Sequence, residues 1–361
     1  MVAALTGFGA VTSVGHDAAI SCASVRAGVQ RARGVSHFTV LEGPDNEQVP
    51  LVGRPVYPLT EGFAGAGLWV RLATLALQDL SVRAGLAPAS DHAFWSRTGV
   101  YAVTPNPTDA RFAEFAGVAG QMHGAELIDA CLRHLQWPVH AIRTLGLSHA
   151  GCIAACALGS QWMLQESTLE RVIVVAADSF LDPSTLDWLD AEDRLKCDGN
   201  PFGLIPGEAG AALLLESRGS AIARGARISA VIDAPIVVKG QPPLVDAEPV
   251  PSRPLKEAVA RTLELAGLRR FSGDLYIDLN GEPWRAQQFG SARVLLEDTL
   301  GDINVNTPCV SLGECGAASG AIQIGLAARA QERRYARGNV ALCLSCAEDG
   351  HVASVIVRQG G

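Results

Sequence analysis

With 361 residues, 48% of them hydrophobic and 18% charged, the sequence has enough apolar material for one large buried core or two fused ones, which excludes intrinsic disorder. Its 29 Lys and Arg stand against 37 Asp and Glu, a formal charge of −8 with no compensating basic stripe, which argues against a nucleic-acid partner gripped through its phosphates. No apolar run reaches the roughly 18 to 20 residues of a membrane span. The opening Met1-Val2-Ala3-Ala4-Leu5-Thr6-Gly7 lacks the charged region and apolar stretch of a signal peptide, so the expectation is a soluble, cytoplasmic protein.

In chain order, the hydrophobic pattern predicts a strand over 2–6, helices over 18–27 and 69–84, a strand over 99–103 and a helix over 152–166. Strands follow over 171–177, 211–216 and 228–232, then a helix over 254–266 and a strand over 275–279. Helices over 284–300 and 317–329 and strands over 340–346 and 352–358 complete the series. Segment 235–253, rich in Pro and without sustained period, reads as a surface excursion. Apolar strands alternating with helices argue an α/β layered fold whose sheets are covered on both faces. A small-residue helix followed by a strand pair occurs twice, which divides the chain near 217–225 into halves 1–220 and 221–361. The nine cysteines, odd in number and scattered among apolar residues, read as reduced thiols serving as small core hydrophobes, with one reactive thiol among them.

Four segments carry a further signal. The strand and glycine turn Leu5-Thr6-Gly7-Phe8-Gly9-Ala10-Val11-Thr12-Ser13-Val14-Gly15 come first, and Ser148-His149-Ala150-Gly151-Cys152 sets a cysteine at a helix start. Pro201-Phe202 precedes Pro206-Gly207-Glu208-Ala209-Gly210-Ala211-Ala212-Leu213, and Gly313-Glu314-Cys315-Gly316-Ala317-Ala318-Ser319-Gly320 opens the matching helix of the second half. Together and in this order they resemble the β-ketoacyl synthases of the thiolase superfamily. The resemblance implies a thiolase fold, five layers α-β-α-β-α made from two duplicated βαβαβαββ halves, and the pairing of two copies into a homodimer.

It also implies where chemistry would sit. Cys152 stands where the family has its nucleophilic cysteine. Condensation needs a thiolate to carry an acyl group, and cationic or hydrogen-bonding side chains to hold the enolate oxygen that develops. In the family those are two histidines and a lysine; here the first histidine falls on Asn280, the lysine on Cys309 and the second histidine on Glu314. The glycine-rich loop with its gatekeeping phenylalanine falls on 346–351, where the phenylalanine becomes Glu348 and one glycine becomes Asp349. An ionised Glu314 repels an enolate, and Glu348 and Asp349 add to the negative field, so decarboxylative condensation is not expected. His149 and His351 are the histidines close in sequence to these segments, and either is a candidate base.

Each residue also has a plainer reading. Cys152 suits a small buried hydrophobe, Asn280 a turn before Gly281, and Glu314 the positive end of a helix. Cys343 and Cys346, beside Cys309 and Cys315, suggest a metal, but two residues three apart on a strand face opposite sides, which argues against zinc. Cys346 also resembles the second cysteine of true thiolases, which keeps a Cys152, Asn280 and Cys346 arrangement open. No P-loop, Rossmann fingerprint or serine-hydrolase elbow stands at a strand-to-helix junction, and no cofactor is expected. The leading reading is a degenerate ketosynthase-like accessory protein, similar to the short ketosynthase-like proteins that accompany type VI secretion, with an effector, an adaptor or an acyl carrier protein as partner. The alternative is an enzyme in which Cys152 takes an acyl group from a coenzyme A or carrier-protein thioester and transfers or hydrolyses it, assisted by Glu314, His351 or Cys346.

Overall fold

The computed structural model describes residues 2–45, 47–115, 124–243 and 252–360. The chain runs β1 (Val2–Thr12), α1 (Ala18–Arg26), β2 (Arg33–Glu42), β3 (Glu47–Gly53), α2 (Gly65–Ala84), β4 (Thr98–Thr104), α3 (Gly124–Leu135) and β5 (Ala141–Gly146). It continues through α4 (Gly151–Gln165), β6 (Arg171–Ser179), α5 (Pro183–Ala191) and β7 (Glu208–Glu216). Then come β8 (Ala230–Lys239), α6 (Arg253–Leu265), β9 (Phe271–Ile277), α7 (Pro283–Leu295), β10 (Leu300–Asn306), α8 (Ser319–Glu332), β11 (Val340–Cys346) and β12 (His351–Gln359). With the β2–β3 hairpin, α1 and α5 set aside as additions, β1 to β7 and β8 to β12 each read βαβαβαββ.

The strand order β5-β4-β6-β7-β1 recurs as β10-β9-β11-β12-β8. In both runs the first three strands are parallel, as helical crossovers require, and the last two are antiparallel. α4 and α8 lie between the runs and pack on strands of both, α2 and α3 cover the outside of the first, and α6 and α7 cover the outside of the second. This is the five-layer thiolase architecture. One feature departs from two separate sheets: Val2–Leu5 of β1 pairs antiparallel with 230–233 of β8, so the runs form a single ten-stranded ladder.

Continuous apolar strands follow from burial on both faces. In β6, Val172, Val174 and Ala176 face the central helices while Ile173, Val175 and Ala177 face the outer core against α2. Close layering demands small residues at the crossings. A Cβ on Gly151 would lie 2.4 Å from Val103 Cγ1, and one on Gly325 would lie 2.3 Å from the Phe8 ring.

Several elements differ from the sequence pattern. β8 runs through Pro235 to Lys239 instead of stopping at 232, because the ladder with β12 skips a residue between Ser354 and Ile356. Pro235, lacking an N–H, sits in that irregularity beside Ala234 at φ 49. The expected excursion therefore begins after Lys239, and its part over 244–251 lies outside the described residues. α7 ends at Leu295 and yields to β10, an edge strand whose mixed Leu-Gly-Asp-Ile-Asn-Val-Asn composition gives no apolar run. β5 at the opposite edge escapes the pattern for the same reason.

The backbone of α2 rests directly on two glycines, since a Cβ on Gly210 would stand 2.2 Å from Leu72 O and one on Gly9 2.3 Å from Ala76 O. Gly210→Ala should therefore cost about 2 kcal/mol or more in urea unfolding, because the helix must lift from the sheet. A loss below about 0.5 kcal/mol would show that this contact yields freely.

Candidate functional site

α4 and α8 meet at their N-termini. Cys152 is the second residue of α4, fully buried, and a Cβ on Gly320, the second residue of α8, would lie 3.1 Å from its Cβ. The thiol donates a hydrogen bond to Ala317 O at 3.2 Å. Burial pushes that thiol up to about 12, only partly offset by a hydrogen bond from the Ala321 backbone. The thiol is therefore held in its protonated form.

The segment before α8 holds the centre of a buried polar network. Glu314 Oε1 lies 2.9 Å from His149 Nε2 and accepts from Gly316 N at 2.9 Å, while its Oε2 accepts from Asn280 Nδ2 at 2.7 Å. Arg285 Nη2 stands 3.2 Å from His149 Nε2 and 3.9 Å from Glu314 Oε2. A carboxylate only accepts, so the 2.9 Å contact requires Nε2 to carry the proton and donate it to Glu314. Burial opposes the charge on Glu314, but His149, Arg285 and the Gly316 N–H outweigh it and hold the carboxyl well below its ordinary value. Burial likewise opposes a charged His149, and the Glu314 carboxylate overcomes it, so the imidazole is held above its usual value.

Arg285 links this pair to the end of the second sheet run. Its Nη1 donates to Cys346 O at 2.7 Å and lies 3.6 Å from Asp278, whose carboxylate accepts from Cys346 N at 2.8 Å. Asn280 also donates to Glu282 at 2.9 Å, and Glu282 pairs with Arg194 through contacts of 2.6 and 3.0 Å. Arg194 also donates to Glu348, from Nη1 at 3.2 Å and from Nη2, shared with Glu282, at 2.6 Å.

The sequence-derived candidates thus fall into two groups. Glu314 and Asn280 touch each other, and Cys152 reaches the same segment through Ala317 and through His149, which starts the turn leading into α4. Cys309 is buried in the field of Glu314 and Asp278, and its thiol is pushed up first by burial. Cys346 enters the network by its backbone alone: β11 turns Cys343 to the central helices and the Cys346 side chain to the outer core. His351 bonds Asp349 at 2.7 Å and lies 3.3 Å from Lys239, at the rim.

One expectation is corrected. The carboxylates are not what raises the Cys152 thiol, and each lies against a cation: Glu314 against Arg285 and His149, Asp278 against Arg285, Glu282 and Glu348 against the same Arg194, and Asp349 against Lys239. Burial, and not acid repulsion, raises the thiol. Sequence reasoning missed Arg285, Arg194 and Asp278. Arg285 had a signal, a lone cation at the start of an otherwise weakly charged helix facing a strand-end acid, whereas Arg194 sits in an irregular segment with none.

Solved structures share this architecture. A chain of the AntDE:AntF complex, a type II polyketide synthase acyl-carrier protein with its ketosynthase bound to the hexaketide, is 16% identical with a TM-score of 0.77, covering 99% of both chains. The ishigamide ketosynthase/chain length factor is 18% identical with a TM-score of 0.77, covering 100% of this chain and 99% of its own. The fold is that of the ketosynthases. An oxazolomycin ketosynthase domain from Streptomyces albus, 15% identical with a TM-score of 0.77, covers 99% of this chain and 74% of its own. No family model matches the sequence, and no curated protein matches it.

On this ketosynthase fold, the two helix starts and the strand ends converge on a carboxylate and a guanidinium. Such an arrangement stabilises itself, since Glu314 accepts from His149 Nε2, Asn280 Nδ2 and Gly316 N. Arg285→Met should cost about 3 to 5 kcal/mol in urea unfolding, because it leaves Asp278 buried without its guanidinium and Glu314 with His149 alone. A loss under about 1 kcal/mol would mean that Glu314 does not depend on the guanidinium.

Proposed function

We propose that this chain is a catalytically degenerate ketosynthase-like protein that acts by binding, as an accessory subunit, and does not condense acyl units. The observation that supports this most is the state of Cys152: fully buried, its thiol raised by burial and bonded to a backbone carbonyl, beside a network in which Glu314 takes the Nε2 proton of His149 and an Nδ2 proton of Asn280. A condensing site needs the reverse, an ionisable thiol and donors left free for a developing oxyanion. The partner in this reading is a protein, a secretion effector or adaptor in line with the sequence resemblance, or an acyl carrier protein of the kind named in the AntDE:AntF complex.

Incubation with acyl-coenzyme A and acyl carrier protein thioesters, followed by intact mass measurement, should give no adduct on the wild-type chain. An acyl adduct that disappears in Cys152→Ala would replace this reading with the acyl-transfer one.

The chain also pairs with a second copy in this proposal. β5 is an edge strand that hydrogen-bonds β4 alone among the described strands, and Arg143 and Thr144 on it are exposed. Unpaired backbone along a sheet edge is a template for an added strand. Light scattering after size exclusion should give twice the 37.7 kDa chain mass, and Thr144→Pro should return it to the single-chain value. A wild-type monomer at micromolar concentration would remove the dimer.

A further inference from the structure

Beyond Arg194, a cleft of about 730 Å³ opens between α5 and the start of α7, within the roughly 300–1,000 Å³ of ordinary binding clefts. Its apolar lining is aromatic: Trp188, Trp284 and Phe202, the last 67% exposed on an irregular segment. Around the rings stand carboxylates of Asp109, Glu192, Asp193, Glu282, Glu348 and Asp349. Among the described residues the cation lining the cleft is Arg194, which Glu282 and Glu348 already hold, while Asp109 lies 3.9 Å from Arg111 and Asp349 3.6 Å from Lys239, so the surplus rests on Glu192 and Asp193. Glu192 and Asp193 have no ion-pair partner among the described residues. Asp109 is nine-tenths buried, with its side chain 8% exposed and Oδ1 without a hydrogen-bond partner.

Aromatic faces with an acid surplus match one chemistry. They favour a guanidinium or ammonium carried on an apolar stem, which stacks on the rings and meets the carboxylates. A coenzyme A thioester, with its phosphates, meets repulsion at the same place. A protein segment, unlike a free amine, also covers Phe202 and spans the distance from Asp109 to Glu192.

We propose that this cleft docks an extended protein segment in which arginine or lysine alternates with apolar side chains. The proposal deepens the accessory reading and rests on it, since it names the chemistry of the partner. The docking depends on charge, so it weakens as salt screens the carboxylates.

The test uses the full chain and a fluorescein-labelled peptide of alternating leucine and arginine, followed by anisotropy and by the emission of Trp188 and Trp284. Saturable binding with a shift in tryptophan emission is expected, at least tenfold weaker at 300 mM than at 30 mM salt and absent for the leucine and glutamate analogue. Glu192→Lys combined with Asp193→Asn should weaken binding at least tenfold, and Phe202→Ala at least fivefold. Both variants change exposed groups outside the buried network, and an unchanged Tm verifies their fold. Lack of binding, equal binding of the two peptides, or unchanged affinity in both variants overturns the proposal. Arginine amide binding as tightly as the peptide overturns it too, because the site then takes a free cation. An acyl adduct on Cys152 would sink the accessory reading independently of the peptide result, whereas a non-binding peptide with an unmodified Cys152 sinks the docking proposal alone.

Discussion

A carboxylate with no solvent exposure, Glu314, is the constraint around which the centre of this protein is arranged. Taking such a charge out of water is tolerable only when a cation and hydrogen bonds replace the lost hydration. Meeting that demand draws on His149 at the entry to α4, Asn280 after β9, Gly316 before α8 and Arg285 in α7. Arg285 in turn grips the end of β11 through Cys346 O. One side chain thereby ties together the ends of five elements that come from distant parts of the chain.

The same arrangement determines how Cys152 behaves. Neither a nearby acid nor a nearby cation governs the thiol; exclusion of water does. The Gly316 and Ala317 amides, which point toward the helix start, are already taken by Glu314 and Asp178. Arg111 backs Asp178 with two bonds of 2.8 and 3.1 Å, which makes the loop before α8 rigid from both sides. Both amides at the start of the α8 turn are thus filled with internal partners.

Much of this was legible in the residues. Gly-rich and Ala-rich helices at 152–166 and 317–329 fit a layer squeezed between strands, and the strand pairs that follow them appear at the expected places. Asn280 and Glu314, both singled out in the sequence by the resemblance, touch through Nδ2 and Oε2. What stayed hidden has a common physical cause. Edge strands β5 and β10 lack apolar runs because part of their surface is wet, and β8 conceals its length behind Pro235. Charge compensation is equally invisible locally: Arg194 and Glu348 are 154 residues apart, and no periodicity links an arginine in an irregular segment to an acid in a distant loop.

The β1–β8 ladder carries a mechanical corollary. Joined edge to edge by main-chain bonds, the two strand runs have no free seam along which to swing like the leaves of a hinge. Parting the runs there would break those main-chain bonds, so the helix pair that carries the sulfur at 152 sits in a frame closed along that side.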